Sequence, residues 1–232
     1  MKKIGIIVFG AAIIIGIVFS SLFSFGRLTS KVFNVSFNSG VEGSGNSTTE
    51  TRGVSDFTSI EVGGVFQVEI VAQKDFSLQV EADDNLLEYI KTEVRDGRLM
   101  IETDKNFNTK TTIRVRITAP NIERIEASGA SKVSITDLKN SSLHIDSNGA
   151  SKISVTGETA RLKVEVSGAG NIDAQNLKAE NGDIDASGAS HADVDVAGTL
   201  RAEASGASRI TYAGSPKTLN KASSGASSIN QK

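Results

Sequence analysis

Two rows of mostly charged side chains recur through the second half of the sequence and are its clearest candidates for chemistry. They stand three residues before and three residues after a repeated glycine, and paired carboxylates are the groups that general acid–base catalysis uses. Exposed acids with basic neighbours do not acquire the raised pKa of a catalytic acid, so we do not predict catalysis by them. The acidic row is Glu126, Asp146, Glu165, Asp185 and Glu203. The basic row is Lys132, Lys152, Asn171, His191 and Arg209.

Other reactive groups are sparse. His144 and His191 have neither a nucleophile nor a metal-spaced partner in the sequence. The chain contains 0 cysteines, which excludes disulfides, thiolate nucleophiles and Cys-ligated metals. Residues 167–173 resemble a calcium-binding nonapeptide, but only once, whereas a calcium stack needs that motif in every turn. We therefore predict no catalytic residue, no cofactor and no metal.

The glycine between the two rows belongs to a Ser-Gly-Ala-Ser motif that occurs in six copies, two of them with one residue changed. Successive glycines are 20, 19, 20, 18 and 19 residues apart. Apolar residues predominate two and four positions before each glycine and four and six positions after it, which is the period of a β-strand. Such a short repeat cannot bury its apolar face alone and must stack on its neighbours. The corner glycines are Gly129, Gly149, Gly168, Gly188, Gly206 and Gly225.

The repeat predicts an all-β fold, namely a parallel β-helix that is a single-stranded β-solenoid. Glycine suits each corner because it adopts positive φ at little cost, and we expect the alanine beside it to tuck into the corner. The acidic row is expected to face the basic row across the corner and to offset its repulsion. Two interpretations of the rows stay open: a solvated charge ladder, or a stripe that faces a ligand, either a cation or a sugar.

Residues 54–120 alternate in hydrophobicity without the motif, and we predict that they form a β-rich part that precedes the solenoid of residues 121–232. Asp83, Asp84 and Asn85 predict a capped helical turn, and Asp96-Gly97 predicts a hairpin turn. We expect this part either to begin the same stack or to cap it, since the first coil must not expose an open strand edge.

Residues 1–26 predict a membrane-targeting segment. Two lysines precede an uncharged run at residues 4–26, whose 23 residues suffice to span a bilayer. A retained transmembrane helix is favoured over a cleaved signal, and the lysines place the body outside the cytoplasm. Cleavage would give a secreted or periplasmic protein instead. Residues 27–53 predict a flexible linker rich in Gly, Ser and Thr.

The segments GVFQVEI at residues 64–70, EADDNLL at 81–87 and EVRDGRL at 93–99 accompany the Ser-Gly-Ala-Ser repeats. Together they resemble the putative auto-transporter adhesin family with a head GIN domain, over about residues 57–229. The resemblance implies an exported bacterial protein with a right-handed β-helix and an adhesive role. It supplies no catalytic residues to transfer.

Three hypotheses of function follow. The first is a non-catalytic adhesin or surface scaffold that binds a cell-surface glycan or protein. A self-associating β-helix polymer, similar to the bactofilins, ranks second because residues 228–232 offer little obvious cap. A carbohydrate-active enzyme ranks last, because coils of nearly constant length leave no insertion to wall a cleft. The net charge of −2, with both signs interspersed, argues against nucleic acid as a partner. The oligomeric state stays open.

Overall fold

The structure is a computed structural model, and it describes residues 40–232. The segment at residues 4–26 that we predict to be an anchor or signal lies outside the described residues. Within the described range, no helix has the length and the apolar character needed to cross a bilayer.

Residues 40–232 form nineteen strands and one short 3-10 turn, Leu87–Tyr89. The strands before the repeats are β1 Val41–Glu42, β2 Ser47–Arg52, β3 Ser59–Gly64, β4 Gln67–Ala72, β5 Ser77–Asp83, β6 Ile90–Arg95, β7 Arg98–Thr103, β8 Phe107–Asn108 and β9 Arg114–Ala119. The strands of the repeats are β10 Arg124–Gly129, β11 Lys132–Asn140, β12 Leu143–Gly149, β13 Lys152–Gly168, β14 Asn171–Ala186, β15 His191–Val196, β16 Thr199–Ala204, β17 Arg209–Ala213, β18 Thr218–Ser223 and β19 Ser228–Gln231.

The prediction of an all-β parallel β-helix is confirmed, because strands from successive repeats pair in parallel and in register. The first face holds the strands that precede each corner: β3, β10, β12, the second halves of β13 and β14, then β16 and β18. The second face holds the strands that follow it: β4, β11, the first halves of β13 and β14, then β15, β17 and β19. A short third side follows a bulge after Ile135 and pairs residues 138–140 with 157–159.

The core is a set of stacked apolar columns, as the two-residue period predicts. On the first face Ile125, Ile145 and Val164 lie directly above one another, and all three side chains are completely buried. Val133 and Ile153 stack in the same way on the second face. Each coil thus covers the apolar face of the next coil, which no single repeat can do alone.

The corner glycines form a ladder in which each residue leaves no room for a side chain on the next. Gly188 has a φ of +77°, and a Cβ atom built on it would lie 2.7 Å from the carbonyl oxygen of Gly168. The N–H of Ala189 donates to the same oxygen at 2.8 Å. Backbone spacing at the corner, and not only backbone conformation, therefore requires glycine.

The motif's second serine, and not its alanine, is the buried residue at each of these corners. Ser131, Ser151, Ser190 and Ser208 are buried, and the hydroxyl of Ser208 donates to the carbonyl oxygen of Ala186 one coil earlier at 2.9 Å. The expectation that the alanine tucks into the corner is wrong, because the motif alanines lie on the exposed ridge. The hydroxyls of Ser131 and Ser208 thus find acceptors inside the protein, each as the second donor to a carbonyl oxygen that also accepts a backbone N–H.

A seventh corner lies at Gly64, where the Ser-Gly-Ala-Ser motif is absent. Gly64 is in register with Gly129, and its own φ is +129°. The coil of β3 and β4 is not the first of the stack, because β7 and β9 pair with its other side. Residues 59–72 are consequently enclosed between two coils that both come later in the sequence.

The N-terminal end of the stack is closed by antiparallel strands. β6 pairs with β7 across the Asp96-Gly97 turn, which confirms the predicted hairpin, and β5 pairs with β9. Within residues 27–53, which we predicted to be a flexible linker, Ser47–Arg52 instead forms β2 against β5. Thr48, Glu50 and Arg52 are all polar, so hydrophobicity gives no signal for this strand.

Asp83 holds this cap together as a carboxylate that is fully buried. It accepts hydrogen bonds from the N–H of Lys110 at 2.9 Å and from the hydroxyls of Thr111 at 2.7 Å and Thr109 at 3.4 Å. Burial raises the pKa of Asp83, but these hydrogen bonds and one from the backbone of Gly45 together hold it below the ordinary value of 3.8. The predicted side-chain cap of the following turn is absent, since Leu86 occupies the N-cap without a side-chain hydrogen bond.

Candidate binding face

The acidic row lies on the outer side of the first face, with its five carboxylates in register from coil to coil. Glu126 pairs with Asp146, Asp146 with Glu165, Glu165 with Asp185 and Asp185 with Glu203. Glu61 extends the row by one coil in the other direction. Strand spacing brings neighbouring residues of the row to about 5 Å, so the charges need a partner.

A flanking column two residues before the acidic row on the same face, which sequence analysis missed, supplies partners for most of these charges. The flanking column is Arg124, His144, Lys163, Asp183 and Arg201, with Arg98 in the cap strand β7 beside it.

The ion pairs run between these two columns. Arg98 pairs with Glu61 at 3.0 Å and with Glu126 at 3.5 Å, and Arg201 pairs with Glu203 at 2.6 Å. Residues two apart in a strand point to the same side, so the two-residue spacing is the signal that could have revealed this pairing.

His144 lies in the middle of the paired columns. Its Nδ1 is 2.6 Å from the Arg124 guanidinium and its Nε2 is 2.6 Å from the Glu165 carboxylate. Since a guanidinium can only donate, Nδ1 accepts and Nε2 carries the hydrogen. Hydrogen bonds from Lys163 first and His144 second lower the pKa of Glu165. This carboxylate is held as an anion, so it is unsuited to donate a proton as a catalytic acid.

The basic row lies on the second face, beyond the corner ridge. Lys132 is in register with Lys152, and Asn171, His191 and Arg209 follow on successive coils.

The members of the basic row differ in how they are paired. Within the row, His191 has an acidic neighbour, with its Nε2 3.1 Å from the Asp193 carboxylate. Among residues 40–232, no carboxylate lies within ion-pair distance of Lys132, Lys152 or Arg209.

The two rows therefore do not neutralise each other across the corner, and that expectation is wrong. All acids of the row except Asp185 are engaged on their own face, whereas Lys132 and Lys152 are exposed next to each other at a separation of about 5 Å between strands. Two like charges directly opposite each other are destabilising. Ser134 and Ser154 are the next outward residues beside them and supply neutral hydroxyl groups.

The grooves on the described part of the chain are open to solvent. The third side carries one such groove, lined by Lys139, Glu158, Lys178 and Glu180 among others. Lys178 is paired there with the buried carboxylate of Asp195. Nothing in this arrangement brings an activated nucleophile next to a general base.

A stack of parallel coils with flat, charge-bearing faces defines a β-solenoid repeat protein. The chain belongs to the family described as "Putative auto-transporter adhesin, head GIN domain", whose model matches residues 56–216. The resemblance seen in the sequence is confirmed by this match. A comparison with the curated proteins found no match.

Three solved structures share the fold, and each is described as a putative adhesin. The one from Bacteroides fragilis has a TM-score of 0.67 and 22% identity, and the match covers 83% of this chain and 100% of that one. The one from Parabacteroides merdae has a TM-score of 0.52 and 19% identity, with 83% and 98% covered. The one from Parabacteroides distasonis has a TM-score of 0.50 and 18% identity, with 83% and 99% covered.

Proposed function

We propose that this protein is a non-catalytic, exported binding module of the adhesin type, which presents its second face to an acidic glycan of a cell surface. The observation that carries the proposal is the uncompensated pair Lys132 and Lys152, with Arg209 unpaired on the same row. The family membership and the fold of the three structures named putative adhesins agree with this role. The flat face suits an extended polymer better than a small molecule, which needs a concave pocket.

The charge pattern favours an anion over the cation that the sequence also allowed. Four of the five carboxylates of the acidic row are already paired with Arg98, Arg124, Lys163 or Arg201, and within residues 40–232 only Asp185 of the row has no ion pair. An anion between Lys132 and Lys152 would remove their mutual repulsion and form charge-assisted hydrogen bonds with both. A sugar chain that runs along the solenoid axis would meet one coil about every 5 Å, which is close to the length of one pyranose residue.

The triple variant Lys132→Gln, Lys152→Gln, Arg209→Gln tests this assignment. We expect it to bind a uronic acid homopolymer about 10- to 100-fold more weakly than the wild type, since each exposed charge contact contributes about 0.5–1 kcal/mol. Binding is measured by isothermal titration calorimetry at low and at physiological salt, and the loss should shrink as salt screens the contacts.

The matched control removes three exposed cations that lie off the second face, in the variant Lys139→Gln, Arg161→Gln, Lys217→Gln. It should bind nearly as the wild type does. Equal loss in both variants, or equal binding of the carboxyl-reduced neutral polymer, would reject the basic row as the ligand site.

The location is tested separately on intact cells. We expect the protein to fractionate with membranes through residues 4–26 and protease added outside the cells to remove the solenoid, because the lysines at the N-terminus stay inside. A mature N-terminus at Ser21 or Arg27, read by mass spectrometry, would show cleavage instead of anchoring. Protection of the solenoid in intact cells would contradict exposure at the surface.

A further inference from the structure

The coil formed by β18 and β19 ends the described stack and leaves one side of each strand unpaired. Within residues 40–232, β18 pairs only with β16, and β19 pairs only with β17. Leu219 is 37% exposed in this coil, although it continues the column of the buried Leu200. Unpaired strand edges above an apolar core are templates for association with a second copy.

Two inward positions of this coil carry polar side chains where every earlier coil of the repeats carries an apolar one. Lys221 is in register with Ala202, in the column that also holds Ile125, Ile145, Val164 and Ile184. Gln231 is in register with Tyr212, in the column of Ile135 and Val155.

The lysine lies across the end of the core. Its Nζ is 5.1 Å from the ring centroid of Tyr212 and 3.4 Å from both the Tyr212 hydroxyl and the carbonyl oxygen of Ile229. The aliphatic stem can cover apolar surface while the ammonium group stays in water. The Gln231 amide donates to the carbonyl oxygen of Gly214, in the turn after β17, at 3.1 Å.

We infer that Lys221 and Gln231 close this end of the solenoid against a second copy of the chain. A coil stacked on β18 and β19 would bury the Lys221 ammonium group against an apolar column, without a carboxylate to pair with it. Burying an unpaired charge is among the most unfavourable changes a protein interface can undergo. Inward-pointing charges on edge strands are one way in which β-proteins avoid edge-to-edge association.

The opposite end is closed by a different device. β2 and β6 are antiparallel edge strands, and they carry Glu50, Arg52, Lys91, Glu93 and Arg95. A head-to-tail filament needs two complementary ends, and neither end offers a parallel edge above an open apolar core. The sequence left a head-to-tail polymer open, because residues 228–232 offered little obvious cap. The two closed ends argue against that polymer. Part of the cap lies upstream of those residues, at Lys221.

The test compares the full-length protein with the double variant Lys221→Val, Gln231→Tyr, both purified in the same detergent. Sedimentation equilibrium should give a monomer for the wild type, and for the variant a dimerisation constant about tenfold stronger or more. Lys221→Met, which removes only the charge, should shift the equilibrium in the same direction by less. Adding Leu219→Arg to the double variant should restore the monomer if the contact is at this end.

The matched control Lys217→Val, Asn220→Tyr adds the same side chains outside the inward columns and should stay monomeric. Circular dichroism checks that each variant retains its strands, and Lys221→Met carries the test if the double variant does not fold. Three outcomes would overturn the inference: a wild type that associates through β18 and β19, folded variants that remain monomeric, or a control that associates equally.

Discussion

Gly188→Ala is expected to lower the free energy of unfolding by about 3–4 kcal/mol, because one methyl group meets two independent obstacles. The residue has a φ of +77°, a conformation that costs a residue with a side chain roughly 1–2 kcal/mol. The new Cβ would also lie 2.7 Å from a backbone oxygen of Gly168, which is held by the hydrogen bond from Ala189 and cannot turn away. Urea unfolding followed by circular dichroism measures the loss.

Gly53→Ala is the matched control, since no atom lies within 4 Å of the Cβ position and φ is not positive there. It should change stability by a few tenths of a kcal/mol at most. Amide hydrogen exchange should show that the coils next to Gly188 lose protection first, because a solenoid is stabilised by contacts between neighbours. Equal effects of the two substitutions would contradict the steric account of the corner.

Asp83→Asn is expected to cost about 2–3 kcal/mol at neutral pH. The carboxylate accepts from Lys110, Thr111 and Thr109, whereas an asparagine presents an NH₂ group to one of these donors and leaves it unsatisfied. The pKa of Asp83 in the folded protein lies below its ordinary value of 3.8. The carboxylate therefore contributes stability above about pH 4 and loses it as the pH falls toward the folded pKa.

Unfolding curves of the wild type and of Asp83→Asn should consequently converge as the pH is lowered from 7 to about 3. Asp75→Asn serves as the control, because Asp75 is an exposed acid in the same half of the chain. Its small effect should not follow that pH course. A gap between wild type and Asp83→Asn that stays constant down to about pH 3 would show that Asp83 does not act through its charged form.

The fold of residues 121–232 could be predicted because the spacing between the corner glycines repeats. Residues at the same offset from those glycines are also of one chemical type, mostly apolar on the inside and charged on the outside. The corner at Gly64 escaped the motif search, although Ile60, Val62, Val68 and Ile70 occupy the same offsets from it as in the later repeats. The order of the coils in the cap could not be predicted in this way. It depends on which strands pair across long separations, and the period of one strand carries no information about its neighbour.

The candidate face was predicted only in part, for a related reason. The two rows were visible as columns, but the partner of the acidic row varies in chemistry from Arg124 to His144 to Asp183, so it did not stand out as a column. The polar residues that close the C-terminal coil were visible as well, since Lys221 breaks an apolar column. Their proposed role as a cap could be inferred only from the structure, because the structure shows the lysine over the Tyr212 ring.

The enclosed position of the coil formed by β3 and β4 has a consequence for the order of folding. Ser208 reaches its partner Ala186 across 22 residues of chain, whereas Ser131 reaches Gly64 across 67. Closing the longer loop costs more entropy before any contact compensates for it, and slow folding follows such distant pairings. A chain synthesised from its N-terminus therefore cannot complete the coil of β3 and β4 before the later strands that enclose it exist. We therefore expect the later repeats to nucleate folding and the N-terminal strands to join them afterwards.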